Sequence, residues 1–134
     1  SAVRYTPLAG LHILVADDNP FNADIMKDLL DLKGATCEIA STGQEAVDLF
    51  TSSACGHFDA ILMDIRMPDM DGYEATKRIR QSKHPDHASI MIIATTANAF
   101  ADDVKTTLAS GMNAHLSKPV DLDTLCALLQ SMQL

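Results

Sequence analysis

The chain has 134 residues, which fits one ordinary domain and leaves no room for two. A hydrophobic fraction of 47% with 21% charged residues describes a globular protein with an ample core, and the formal net charge of −8 argues against a nucleic-acid backbone as a direct partner. Three cysteines (Cys37, Cys55 and Cys126) are odd in number and form no C-x-x-C pair, which argues against a disulfide framework or a zinc site and for a reducing compartment.

Residues 1–10 (SAVRYTPLAG) hold a Pro and a Gly without a clear period; they read as a linker or tag remnant, and residues 11–134 as the domain. From His12 onward, short apolar runs alternate with amphipathic stretches, five times over. The first run, Ile13–Ala16, ends in Asp17-Asp18. Asn19 is then expected as an N-cap, with Pro20 at the first helical position. Phe21, Ile25, Leu29 and Leu32 follow at spacings of four, four and three, the apolar stripe of an amphipathic helix. Gly34 supplies its stop.

The second run is Cys37–Ala40, with Glu38 inside it. Thr42-Gly-Gln-Glu45 resembles a capping box and opens a helix with Ala46, Val47, Leu49 and Phe50 inward. The third run, Phe58–Met63, ends in Asp64; a turn-rich stretch, Met67–Gly72, leads into a helix through Tyr73, Thr76 and Ile79. The fourth, Ile90–Ala94, ends in Thr95-Thr96, and its helix carries Ala101, Val104 and Leu108 and stops at Gly111. The fifth, Ala114–Ser117, ends in Lys118-Pro119, after which Asp121 caps a helix burying Leu122, Leu125, Leu129 and Met132.

Five strand–helix repeats predict an α/β fold, a doubly wound parallel sheet covered on both faces. The first, third and fourth runs are apolar enough to be central; the second suits an edge. The longest apolar runs are far too short for a bilayer, and the start shows no signal pattern. A cytoplasmic location without membrane contact is expected for this stretch, even where a longer parent is membrane-anchored.

In such a sheet the functional groups lie at the carboxyl ends of the strands. Here those ends read Asp-Asp, Asp, Thr-Thr and Lys. Three carboxylates gathered at one rim repel one another and need compensation. Lys118 supplies one compensator. A hard divalent cation supplies another, and Mg²⁺ suits a few carboxylates plus waters. Asp18 and Asp64 are the expected direct ligands, Asp17 acts directly or through water, and the backbone carbonyl of Arg66 completes the set. Asp64 is also the candidate nucleophile: it is single, it ends a central strand, and attack on phosphorus would give an acyl phosphate. Lys118, the Thr96 hydroxyl and nearby backbone N–H groups would then neutralise phosphoryl charge.

The segments ILVADDN, ILMDIRMPDMDG, IIATTANA and LSKP, in this order and spacing, resemble the receiver domain of two-component response regulators over roughly residues 11–132. The resemblance implies a flavodoxin-like sheet of strand order 2-1-3-4-5 with five helices. It also implies Asp64 as phosphoacceptor, Asp17 and Asp18 as the acidic metal pair, Thr96 as the mobile hydroxyl, and Lys118, before a cis Pro, as the ion-pairing lysine. Mg²⁺ would be the cofactor, with Mn²⁺ as a substitute. The donor would be phosphohistidine on a histidine kinase or a histidine phosphotransfer domain. The isolated domain would be no enzyme beyond Mg²⁺-dependent self-phosphorylation and autodephosphorylation. His115 stands where the family often has a switching Tyr or Phe; His occurs there in receivers fused to hybrid sensor kinases. The flanking segments favour that origin over a stand-alone regulator, which makes the parent chain a candidate histidine kinase.

Three other readings fare worse on the same residues. A haloacid-dehalogenase-like phosphatase needs a second acid two residues after its nucleophile, where this chain has Arg66. A phosphorylation-independent docking module usually loses part of the set retained here. A flavin binder needs a phosphate loop after the first strand, which is lacking. His84 and His87 read as a solvated loop rather than a metal pair, and Cys126 as core.

Overall fold

A computed structural model describes residues 6–98 and 104–131 of the chain. The elements alternate throughout: β1 His12–Ala16, α1 Pro20–Leu32, β2 Thr36–Ala40, α2 Gly43–Thr51, β3 Ala60–Asp64, α3 Gly72–Arg80, β4 Met91–Thr96, α4 Val104–Ala109, β5 Ala114–Ser117 and α5 Leu122–Ser131. The five strands form one parallel sheet in the order β2-β1-β3-β4-β5. The flavodoxin-like arrangement expected from the sequence is therefore present, with β2 at an edge.

The two-residue period of the strands divides the core into two layers. Ile13, Val15, Leu62 and Ile93 point to one face, where Leu30 of α1 and Leu125, Cys126 and Leu129 of α5 cover them. Leu14, Ala16, Ile61, Met63 and Ile92 point to the other, under Ala46, Val47 and Phe50 of α2 and Ala75 and Ile79 of α3. β3 is buried along its whole length, which explains its unbroken apolar run.

The helix starts follow their caps. Asn19 Oδ1 accepts from the N–H groups of Phe21 and Asn22, with Pro20 at the first position. Thr42 Oγ1 accepts from Glu45 N, while the Glu45 carboxylate accepts from Ser41 instead of closing the reciprocal half of a capping box. Asp71 caps α3 through Glu74 N.

Three expectations need correction. Residues 6–10 are not a free linker: Leu8 is fully buried with Leu11, Leu30 and Ala35, and its N–H donates to Lys33 O at 3.0 Å. A lone Leu between Pro and Gly gives no periodic signal, so its burial was not legible. The stripe expected to bury α1 is largely outside: Phe21 is 71% exposed, Ile25 43% and Leu32 53%, while Ala23 and Leu30 are buried. The helix is rotated so that small Ala23 faces the sheet. His84 is no solvated loop residue; it is buried against Phe50 (ring centroids 4.4 Å apart) with Nε2 2.9 Å from Ser53 O. Ala101 and Met132, assigned to helices from the sequence, lie outside the described residues.

Candidate functional site

The carboxyl ends of β1, β3 and β5 converge. Asp17 follows β1 directly, Asp64 is the last residue of β3, and Lys118 follows β5. Asp17 and Asp64 are buried, at 6% and 4% exposure. Lys118 Nζ donates to both, at 3.0 Å to Asp17 Oδ2 and 3.2 Å to Asp64 Oδ2. The expected single ion pair is thus a bridge between two carboxylates. The remaining oxygens are held locally: Asp17 Oδ1 accepts from Asn19 N at 2.9 Å, and Asp64 Oδ1 from Arg66 N at 3.3 Å.

Each side chain is placed by backbone that the sheet fixes. Asp17 N donates to Ala40 O and Ile65 N to Thr95 O, extending the ladders past the strands. The Lys118-Pro119 peptide bond is cis, as the resemblance implied, and Lys118 N donates to Thr96 O at 2.7 Å. Asp69, in the turn after β3, has φ of +69°, and Gly72 N donates to Ile65 O at 2.9 Å, folding that turn back onto the strand end.

The electrostatics follow from burial and charge. Burial pushes the Asp64 carboxyl above its ordinary range; the Lys118 charge opposes this and the Asp17 charge adds to it. Burial would lower the Lys118 ammonium, but its bond to Asp17 and the charges of Asp64 and Asp17 outweigh that and hold it above its ordinary value.

Asp18 is exposed, yet oxygens of Asp17, Asp18 and Asp64 all lie within 4.8 Å of one another. The three carboxylates offer one set of hard, anionic oxygens, which fits Mg²⁺ rather than a softer metal.

Thr95 is the register partner of Asp64, and Thr96, fully buried, is the next residue, with Oγ1 accepting from Asn98 N at 3.1 Å. Arg66 is exposed at the mouth. His115 lies beside Ala94 in the ladder, and its Nε2 is buried with no hydrogen-bond partner among the described residues. Sequence reasoning missed the turn in which the Asn19 backbone N–H supports the Asp17 carboxylate, although an Asp at the head of a turn characteristically accepts from the backbone two residues on. It also missed Arg80, whose guanidinium donates to the carbonyls of Gly111, His87 and Ile90 and to Asn113 Oδ1, tying α3 to the start of β4 and to the turn before β5.

Residues 13–130 match the model of the response regulator receiver domain. The chain is 41% identical over 113 residues to the sensor histidine kinase RcsC of Escherichia coli K12, covering 84% of this chain and 11% of that protein. It is 37% identical over 126 residues to the probable histidine kinase 2 of Oryza sativa subsp. indica, covering 86% and 12%. The chain thus spans about a tenth of the length of these relatives. Among solved structures it is similar to the receiver domain of a Pseudomonas aeruginosa PAO1 sensor histidine kinase, which has magnesium coordinated in its active-site cleft (37% identity, TM-score 0.81, 92% of this chain and 98% of that one). It is also similar to a chain from the co-crystal of a Saccharomyces cerevisiae histidine phosphotransfer protein with the receiver domain of its downstream response regulator (30% identity, TM-score 0.76, 91% and 88%). With its sheet order and its rim of acids and lysine, the chain belongs to the response regulator receiver domain family, the phosphoacceptor domains of two-component phosphorelays.

Proposed function

We propose that Asp64 is the phosphoacceptor and takes its phosphoryl group from a phosphohistidine. The observation that carries this reading is the Lys118 bridge, which holds a buried carboxylate at a strand end beside a second acid. One Asp64 oxygen attacks phosphorus as the P–N bond breaks and the imidazole nitrogen leaves. Lys118 then donates to the phosphorylated group, and the Thr96 hydroxyl turns toward it. Asp17, Asp18 and Asp64, with the backbone carbonyl of Arg66, would hold Mg²⁺ or Mn²⁺, which when bound offsets the charge of the transferring phosphoryl group.

Thr96 and His115 form the switch in this reading. The Nε2 of His115, without a hydrogen-bond partner among the described residues, gives that ring a polar atom to satisfy in a second arrangement. The donor docks on α1. Phe21 and Ile25 leave an apolar patch there, beside a cavity lined by Asn22, Ile25, Met26 and Leu29 that reaches Asp17 and Lys118. The co-crystallised yeast pair supports a histidine phosphotransfer domain or a kinase as the partner. The similarity to RcsC supports a hybrid histidine kinase as the parent, in which this stretch lies in the cytoplasm; no helix among the described residues is long and apolar enough to cross a membrane.

The test is incubation with acetyl phosphate and Mg²⁺, read by intact mass. Wild type gains one hydroxylamine-labile phosphoryl group and Asp64→Asn gains none. Wild type left unmodified at saturating donor and Mg²⁺ would overturn the assignment.

A further inference from the structure

At the opposite, amino-terminal end of the sheet, His12 opens β1, Glu38 lies in β2, and His57 precedes β3. Both imidazole Nε2 atoms meet one carboxylate oxygen, Glu38 Oε2, at 2.6 Å from His12 and 2.7 Å from His57. We propose that His12, Glu38 and His57 bind a zinc ion there, tying the edge strand β2 to β1 and to the loop that enters β3.

Four observations carry the proposal. The ligand atoms of the three residues lie within 4.8 Å of one another, and two imidazoles with one carboxylate are a ligand set suited to Zn²⁺. Mg²⁺ prefers oxygens, so the two ends of the sheet differ in the metal they select.

The rings are already held. Phe58 is buried, and the His12 ring stacks on it (centroids 5.3 Å, planes 11° apart) while His57 meets it edge-on (4.6 Å, 77°).

The far nitrogen of His12 is also supported. Its Nδ1 is 2.6 Å from Thr36 Oγ1, which faces Leu11 O at 3.5 Å. When Nε2 gives its lone pair to a metal, Nδ1 carries the hydrogen and donates it to Thr36. That is the outer-shell bond by which metal-bound histidines are oriented.

Finally, the side chains remain 24% (His12), 39% (Glu38) and 44% (His57) exposed. An ion can enter, and three protein ligands leave the fourth tetrahedral position to water.

The experiment is a titration of the chain with Co²⁺ and, separately, Zn²⁺, with Mg²⁺ saturating the acidic rim. One equivalent of Co²⁺ should give the intense visible bands of tetrahedral coordination, and Zn²⁺ should displace it and raise the melting temperature. His57→Ala and Glu38→Gln should each weaken Zn²⁺ binding at least tenfold, while Asp64→Asn leaves it unchanged. His57 is exposed enough for its variant to fold. Absence of the bands and of the thermal shift would overturn the proposal, leaving a hydrogen-bonded His–Glu–His cluster. Bands that persist in His57→Ala but vanish in Asp64→Asn would overturn it equally, by assigning the metal to the rim.

Discussion

Gly72 packs so tightly on the end of β3 that a Cβ at that position would lie 2.4 Å from the Asp64 carbonyl oxygen and 2.9 Å from Ile65 Cα. Both neighbours are backbone, so neither can swing aside as a side chain would. Gly72→Ala should therefore push the turn away from the strand that carries the nucleophile. The expected loss is about 1–3 kcal/mol in urea unfolding, typical of overpacking, together with slower labelling by acetyl phosphate. A variant with the wild-type midpoint and labelling rate would show that this contact does not hold the site.

The Asp64 carboxyl binds its proton more tightly in the folded chain than in the unfolded one, because burial outweighs Lys118. Protonation thus stabilises the fold. That contribution is complete below the unfolded carboxyl's range and is lost as pH rises through the raised folded pKa. Above that raised pKa the ionised group is a net destabiliser. Asp64→Asn removes its charge at nearly constant shape, so without Mg²⁺ the variant should melt a few degrees above wild type, the gap closing toward about pH 4. Adding Mg²⁺ should raise wild type and reduce the difference. A variant that melts below wild type at every pH would refute the burial-dominated carboxyl.

Removing Lys118 acts in the opposite direction. Its ammonium stands above its ordinary pKa, so the pairing contributes below the unfolded lysine range and is lost only as pH rises through the raised folded value. Lys118→Ala leaves Asp17 and Asp64 facing each other without a cation. The side chain is still 21% exposed, so the cost at pH 7 should fall below that of a fully buried pair, at about 1–3 kcal/mol. The deficit should shrink on acidification as Asp64 protonates, and Mg²⁺ should recover part of it. A pH-independent deficit would indicate lost packing instead.

The fold and the rim were legible because local and global signals agree there. Each apolar run ends where a strand ends, and Asn19-Pro20 marks the entry to α1 in both sequence and structure. The rotation of α1 was not legible. Its apolar residues suggest a stripe through Phe21 and Ile25, but the face that packs is set by close approach at Ala23, which a hydropathy pattern ranks low. The burial of Leu8, 0% exposed, depends on where Gly34 ends α1, a tertiary fact. The His12, Glu38 and His57 cluster joins positions far apart in the chain whose meeting only the strand register reveals.

Arg80 follows the same logic. Its guanidinium donates four bonds of 2.7–3.0 Å, three of them to backbone carbonyls, and no carboxylate among the described residues accepts one. A lysine keeps the charge but offers a point where the site needs a planar fork. Arg80→Lys should cost about 1–3 kcal/mol or more in urea unfolding, because carbonyls lose their donor in a half-buried position. An exchange that costs under about 0.5 kcal/mol, the range of ordinary surface changes, would contradict the role.

The exposed stripe on α1 separates chemistry from docking. Phe21 and Ile25 make no hydrogen bond or ion pair at the rim, and at 71% and 43% exposure they add little to the core. Replacing both with Ser should change stability by no more than about 1 kcal/mol, the sum of two ordinary surface substitutions. Labelling by acetyl phosphate, which needs no docking surface, should proceed at the wild-type rate. Transfer from a phosphorylated histidine phosphotransfer domain should slow at least tenfold, through weaker binding, since apolar anchors at the centre of an interface carry much of its affinity. The two donors must therefore diverge in the double variant. If both rates fall together, α1 supports the site itself; if neither falls, the donor approaches from another face.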